Sequence, residues 1–410
     1  MQLKRALSAL MALGLVLRAA AAWGQSSIKY KRLKYDETSP GVDVDEDALE
    51  VLLQMDNEDQ ASLSVLHDVV TGASPTGIPE NTSVTGASSS AARGQQTAAF
   101  RDERWSYTAG YLPLIGRTTR LKGLLHFSEE QDYVSRGVTL GAAFELNKKN
   151  TTIAPAFTYF DDRIEPQNTR PDRSKFTRSF ALDIAQVLNT WNVGSIGLSY
   201  TESDGYLTDP YKLVLVGDQA VDENRPDRRE GYAVQLGWRT KPFDQHAFDV
   251  AYRHYWDSWG VQSNTFGLKS LSELGEHWLI ELFYRYYLQS GANFWASSFP
   301  AGNQDTHRSS DLRLSPFQAT TIGFTGIYKI NETWWLEGSV AQYRQDAIYG
   351  YRGGEGEDED EDEDDDEHED GDDDLTRYDS EGDDEGGYGL TGSGSSVSAW
   401  IYSIAVQLRF

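Results

Sequence analysis

The chain has no cysteine, and bases are scarce against acids. Without cysteine there is no disulfide framework, no thiolate metal centre and no lipoprotein anchor. Beyond residue 24 no apolar run is long enough for a membrane helix, and the mean hydropathy is −0.55. That excludes a helical membrane protein. It does not exclude a barrel with a wet interior, where only alternate residues meet lipid. Lysine and arginine number 37 against 64 acids, for a net charge of −27, and no basic stripe suited to nucleic acid is present. The shortage of bases is local. Residues 353–387 hold about 22 acids and one base, Arg377, which leaves about −6 for the rest. The acidity belongs to one segment and not to the fold.

What is present starts at the N-terminus. Lys4 and Arg5 precede an apolar stretch, residues 6–16, and small residues at 19–22. This predicts a secretory signal peptide over 1–24, Sec-type export and a mature chain of 25–410. Aromatics make up 12% of the residues, with 22 Tyr and 11 Trp. At the C-terminus Phe410, Leu408, Val406, Ile404, Tyr402 and Trp400 alternate with mostly small or polar residues. Successive strand side chains point to opposite faces, so this is a strand with one apolar side. It is as long as the ~9–11 residues of a tilted membrane strand and carries aromatics at both ends.

The same alternation recurs along the chain, in Leu49, Val51 and Leu53, in Val250 and Tyr252, and in Ile280, Leu282 and Tyr284. Connections alternate in length. Those near 56–60, 115–117, 147–150, 189–192, 241–245, 273–276 and 331–332 are short. The long ones, 71–104, 202–229, 290–310 and the acidic 353–389, fall between them. Short periplasmic turns and long external loops are the habit of outer-membrane barrels. The pattern predicts an all-β fold, a transmembrane antiparallel β-barrel of about sixteen strands with long extracellular loops, in the outer membrane of a Gram-negative bacterium. Residues 353–389 are expected to be a disordered extracellular loop.

Several stretches carry a family resemblance. They are His67-Asp68-Val69-Val70-Thr71-Gly72-Ala73-Ser74-Pro75, Ser128-Glu129-Glu130-Gln131-Asp132-Tyr133 and Gly205-Tyr206-Leu207-Thr208-Asp209-Pro210-Tyr211-Lys212. Further on come Glu223-Asn224-Arg225-Pro226, Tyr252-Arg253-His254-Tyr255-Trp256-Asp257-Ser258-Trp259-Gly260 and the run from Arg285 to Trp295. In this order they resemble the outer-membrane barrel proteins grouped as DUF3570. The resemblance implies fold and location and supplies no reaction. The acidic insertion is not part of its pattern.

Ionised side chains facing lipid near the midplane cost about 2–4 kcal/mol, so polar residues on the wetter strand faces should point inward. Asp68, Asp249, Arg253, Asp257, Glu281, Arg285 and Gln289 are therefore the candidates for a lumen that selects ions or polar solutes. An ion-pair ladder filling the lumen is the competing reading. His254 with Asp257 and Ser258 suggests a hydrolase, but residue order alone does not make a triad. No catalytic residue and no cofactor is expected. Glu355, Asp358, Asp364, Glu367 and Asp372 could gather divalent cations weakly, since hard cations take carboxylate oxygens. The terminal aromatic resembles the signal read by the barrel assembly machinery, which makes Trp400, Tyr402 and Phe410 candidate assembly residues. The expected partners are outer-membrane lipid, that machinery and divalent cations. The expected function is a porin-like channel for small polar solutes or ions. The alternative is a non-transporting barrel that scaffolds a surface or periplasmic partner.

Overall fold

The structure, a computed structural model, describes residues 26–38, 41–79, 95–166, 171–348 and 396–410, with backbone alone at 73–79 and 95–99. The signal segment 1–24, the acidic segment 353–389 and its candidate cation ligands Glu355, Asp358, Asp364, Glu367 and Asp372 lie outside the described residues.

The first strands are β1 (Ser27–Glu37), β2 (Val42–Gln54), β3 (Gln60–Pro79), β4 (Gln95–Leu112), β5 (Leu114–Ile115), β6 (Thr119–Glu129), β7 (Tyr133–Leu146), β8 (Thr151–Ile164), β9 (Arg173–Val187) and β10 (Asn192–Gly205). There follow β11 (Leu213–Val216), β12 (Gln219–Asp222), β13 (Arg228–Phe243), β14 (His246–Asp257), β15 (Gln262–Leu274), β16 (Trp278–Gln289), β17 (Phe317–Lys329), β18 (Trp334–Ala347) and β19 (Ser396–Arg409). Sixteen of these form a closed antiparallel barrel. The two-residue β5 extends the wall beside β6, and β11 and β12 form a hairpin of their own.

Closure occurs between the first and last strands, in register from Ser27↔Arg409 to Glu37↔Ala399. Beyond that ladder the Ser26 N–H donates to the Phe410 carbonyl at 2.8 Å, and the Phe410 N–H returns to Ser26 at 3.0 Å. Closure removes the unpaired edges, which could not be satisfied in hydrocarbon.

Alternation assigns the faces. Leu125, Leu140, Phe180, Leu282, Ile322 and Ile404 point outward and are each more than half exposed. An apolar exterior of this kind, interrupted on β1 and β2 by the outward Arg32 and Asp45, is intelligible only against lipid. Aromatics border it at both ends. Trp238, Phe243, Trp278 and Trp334 lie toward the short turns, and Trp105, Tyr107, Tyr232, Trp256, Trp400 and Tyr402 toward the long connections. Tyr200, Tyr232 and Trp256 form one cross-strand stack, with centroids 5.1 and 5.6 Å apart.

The long connections are more ordered than their composition suggests. Residues 71–104 were expected to form one loop, yet β3 runs to Pro79 and β4 starts at Gln95, each pairing with the other beyond the barrel wall. Strand pairing there overrides a Gly-, Ser- and Pro-rich composition that reads as loop. The 202–229 connection holds the β11–β12 hairpin, with Gly217 at φ 58° in its two-residue turn. A small apolar core lies under these connections. Trp259, Val261, Ala292 and Leu314 are buried in it, against Leu207, Tyr255, Phe294 and Trp295.

Candidate functional site

The lumen is built in layers, because the upward strands β14, β16 and β18 each start just beyond a short turn. The fourth residues of β14, β16 and β18 are Asp249, Glu281 and Glu337, nearest the short turns. Each is ion-paired. Asp249 takes two hydrogen bonds from Arg239, at 2.5 and 2.7 Å. Lys269 donates to Glu281 at 3.1 Å and Lys29 to Glu337 at 2.8 Å. This layer is a ladder of satisfied pairs.

Four residues higher the pairing stops. Arg253 and Arg285, eighth in β14 and β16, line a cavity of about 900 Å³ with Lys31, Gln235, Thr265 and Thr321. Neither guanidinium has a carboxylate partner among the described residues. Each lies over a tyrosine ring instead, Arg253 over Tyr255 at 5.2 Å and Arg285 over Tyr287 at 5.8 Å.

Above the arginines stands a tyrosine layer. Tyr255, Tyr287 and Tyr343 are tenth in β14, β16 and β18, and Tyr35 is ninth in β1. The register confirms the level. Tyr287 lies across from Arg253 through Thr265, and Tyr343 across from Arg285 through Thr321. That is a shift of two residues for every two strands, the stagger that tilted barrel strands require. Each hydroxyl donates to the inward residue two positions further on. The acceptors are Asp257 at 2.7 Å, Gln289 at 2.6 Å, Gln345 at 2.8 Å and Glu37 at 3.3 Å.

These acceptors anchor the outer connections. Asp257 accepts from Arg229 at 2.5 Å and from the Trp259 and Val261 N–H groups at 2.9 and 3.0 Å. Gln289 donates to the Arg313 and Ser315 carbonyls at 3.1 and 2.7 Å. Gly260, at φ 83°, sits where a Cβ would lie 2.0 Å from the Asn293 Oδ1, so the two connections touch through a glycine.

A buried ionic cluster completes this cap. Arg225 donates to both carboxylate oxygens of Glu223, at 2.7 and 3.0 Å, and to Asp311 at 2.8 Å. Arg313 joins Asp311 and also reaches Asp209 at 2.9 Å. Burial pushes the Glu223 carboxyl up against the pull of Arg225. Burial also acts on Asp311, but the bonds and charge of Arg313, with Lys212 and Arg225, outweigh it and hold that carboxyl low. Burial lowers the Lys212 ammonium. Leu312 and Arg313 roof the 900 Å³ cavity, and Arg313 also lines an outer cavity of about 1020 Å³ with Lys212, Arg225, Arg229 and Trp259.

A second acidic group borders the outer cavity. One oxygen from each of Asp102, Glu130 and Asp132 lies within 4.8 Å of the others, an arrangement able to hold a hard cation. Burial and the neighbouring Asp102 push Glu130 up to about 7, against the pull of Arg104. Asp68 is held by Arg104, at 3.1 and 2.7 Å.

The sequence candidates thus separate. Arg253 and Arg285 share the cavity. Asp249 and Glu281 belong to the paired layer below it. Asp257 and Gln289 hold the cap, and Asp68 lies with Arg104 on β3 and β4. His254 faces outward, stacked on Trp256 and 3.0 Å from the Asn264 side chain, while Asp257 faces inward, so the two do not form a dyad. Trp400 and Tyr402 face outward in the aromatic border. Sequence reading missed Arg313, Asp311, Glu223 and Arg225 as a cluster, although Glu223 and Arg225 lie inside a stretch that carries the family resemblance.

Four of those six stretches come together here. Thr208, Asp209 and Lys212, Glu223 and Arg225, Asp257 to Gly260, and Gln289 to Trp295 all meet in the cap. The family model described as "Protein of unknown function (DUF3570)" matches residues 4–181 and 168–356. The chain belongs to the DUF3570 family. No curated protein sequence matches it. Among solved structures, this DUF3570 barrel is similar to the toluene transporter TodX of Pseudomonas putida, at 7% identity and TM-score 0.40, over 95% of this chain and 90% of that one. It is also similar to CdiB of Acinetobacter baumannii, at 8% identity and TM-score 0.45, over 94% and 60%. The siderophore receptor PirA of Pseudomonas aeruginosa gives 7% identity and TM-score 0.41, over 79% of this chain. The chain spans 56% of that receptor's length. At such scores the barrel assignment rests on the strand ladder itself.

Proposed function

We propose that this DUF3570 barrel passes small polar solutes across the outer membrane through its lumen, with the folded outer connections as a roof over the route. The observation that carries this reading is the 900 Å³ cavity, walled by charged and polar side chains interspersed with apolar ones such as Leu33, Phe283 and Val397, and roofed by Leu312 and Arg313. A barrel of sixteen strands is wide enough to leave an aqueous channel. The adjoining wall, on β10 and β13, is lined by small inward residues such as Ser195, Gly197, Ser199 and Gly237, which leave interior space. Export, the outer-membrane lipid and the assembly machinery that would read Phe410 are part of the same proposal.

Vesicle swelling tests it. Purified protein in vesicles loaded with a large osmolyte should admit small sugars and amino acids faster than protein-free vesicles. Equal rates would reject it.

The buried Glu223, Arg225 and Asp311, with the exposed Arg313 bonded to them, favour the second reading, a barrel that presents a rigid outer surface to a partner. Under that reading vesicle permeability stays at background even when the cluster is broken.

A further inference from the structure

The lumen contains both paired and unpaired charge, and around the cavity the cations outnumber the acids. Around the 900 Å³ cavity the cations are Lys31, Arg253, Lys269, Arg285 and Arg313, and the acids are Glu37 and Glu337. Lys269 is taken by Glu281, Glu337 by Lys29, and Arg313 by Asp311 and Asp209. Glu37 accepts from the Val42 N–H at 2.7 Å and from Tyr35. Among the described residues, Lys31, Arg253 and Arg285 remain without a carboxylate. Glu46, Glu50 and Asp183 also face the interior, from β2 and β9, outside the wall of this cavity.

We propose that Arg253 and Arg285 form a binding site for a small oxyanion, a phosphate or a carboxylate, within the lumen. The inference rests on the passage reading for its role and on geometry for its chemistry. The two arginines stand on strands separated by β15 and offset by two residues in register, so at the usual strand spacing and rise their backbones are about 12 Å apart. Arginine side chains are long enough to converge on one ligand across that gap. A guanidinium offers two parallel N–H donors that match an oxyanion. The ring behind each arginine is fixed by its hydroxyl bond to Asp257 or Gln289, which pre-orients the planar group. Between them Thr265 and Gly267 present little bulk to a ligand. The paired layer beneath adds no net attraction, so an anion held at the arginines is free to move on.

Two measurements test this. Orthophosphate and citrate, in separate arms, are titrated against the detergent-solubilised full chain. Binding is followed by ³¹P line broadening for phosphate and by calorimetry for citrate. The same protein is studied in planar bilayers under a KCl gradient. The expected wild type broadens the phosphate signal or binds citrate, and gives a reversal potential on the chloride side. Arg253→Gln with Arg285→Gln should weaken binding by about tenfold or more and move the reversal potential toward potassium. Arg253→Lys with Arg285→Lys keeps the charge and should retain chloride preference while losing most of the oxyanion affinity. Barrel integrity of each variant is read from its heat-dependent gel mobility. Conduction without chloride preference, together with no binding of either oxyanion, would overturn the site and leave the passage reading standing. Binding that the glutamine pair abolishes, in a protein that does not conduct, would uphold the site and reject passage.

Discussion

Tyr255 and Tyr287 occupy the same position in two different strands and do the same thing. Each is tenth in its strand, carries an arginine over its ring and donates its hydroxyl to the residue two positions further on. Asp257 accepts in one strand and Gln289 in the other, and both then hold an outer connection, Asp257 the 258–261 turn and Gln289 the long one after β16. The stack links the lumen to the cap: arginine in the cavity, tyrosine above it, anchor at the rim.

Asp257→Ala should loosen the cap more than any single change in the paired layer. It removes the acceptor for Arg229, the Tyr255 hydroxyl and two backbone N–H groups at once. Breaking a buried pair by removing one partner costs about 3–5 kcal/mol. Limited proteolysis should cut near 258–261 in the variant and not in the wild type, while the barrel strands stay protected. Unchanged protection there would argue against an anchoring role.

Glu130 should make the outer connections sensitive to pH. Its folded value, about 7, lies above the ordinary glutamate value, so folding favours the protonated form. The associated stability is fully present below about 4.5. It is lost as pH rises through about 7. Hydrogen exchange in 130–133 and 206–212 should therefore be slower at pH 5 than at pH 8, after correction for the intrinsic rate. Glu130→Gln should remove the difference. A difference that persists in that variant would assign it to another group.

The face assignments predict an asymmetry between neighbours. Leu282 faces outward and Thr325, across from Glu281, faces inward. Leu282→Arg should cost about 2–4 kcal/mol if it lies near the midplane. Thr325→Lys places a cation beside an acid in the lumen and should cost little. The fraction of protein refolded into vesicles, read by heat-dependent mobility, should fall for the first and not for the second. Equal losses would contradict the orientation.

Much of this fold is written in the period of the sequence. The alternation of Ile280, Leu282 and Tyr284 against Glu281, Phe283 and Arg285 fixes a strand and its faces, because a period of two has one structural meaning. The spacing from Arg253 to Asp257 and from Arg285 to Gln289 was visible for the same reason. The outer connections were less legible. Val216-Gly217-Asp218-Gln219 carries a hairpin signal, but it lies between prolines in a stretch that reads as irregular. The pairing of Arg225 with Asp311 joins residues 86 apart. No local pattern encodes such a contact; it depends on two connections folding over the same rim. That also explains why Arg253 and Asp257, alike as inward charges in the sequence, differ in the structure. One faces the cavity, and the other is enclosed by the cap.

In the proposed function the lumen is a route and the folded connections are its roof. Single-channel recording in planar bilayers tests it most directly, comparing the wild-type chain with Asp311→Ala, which removes the carboxylate shared by Arg225 and Arg313. Discrete openings are expected in the wild type, and larger or longer ones in the variant because its roof is unfastened. Silent membranes for both proteins, with barrels shown to be folded and inserted, would contradict it.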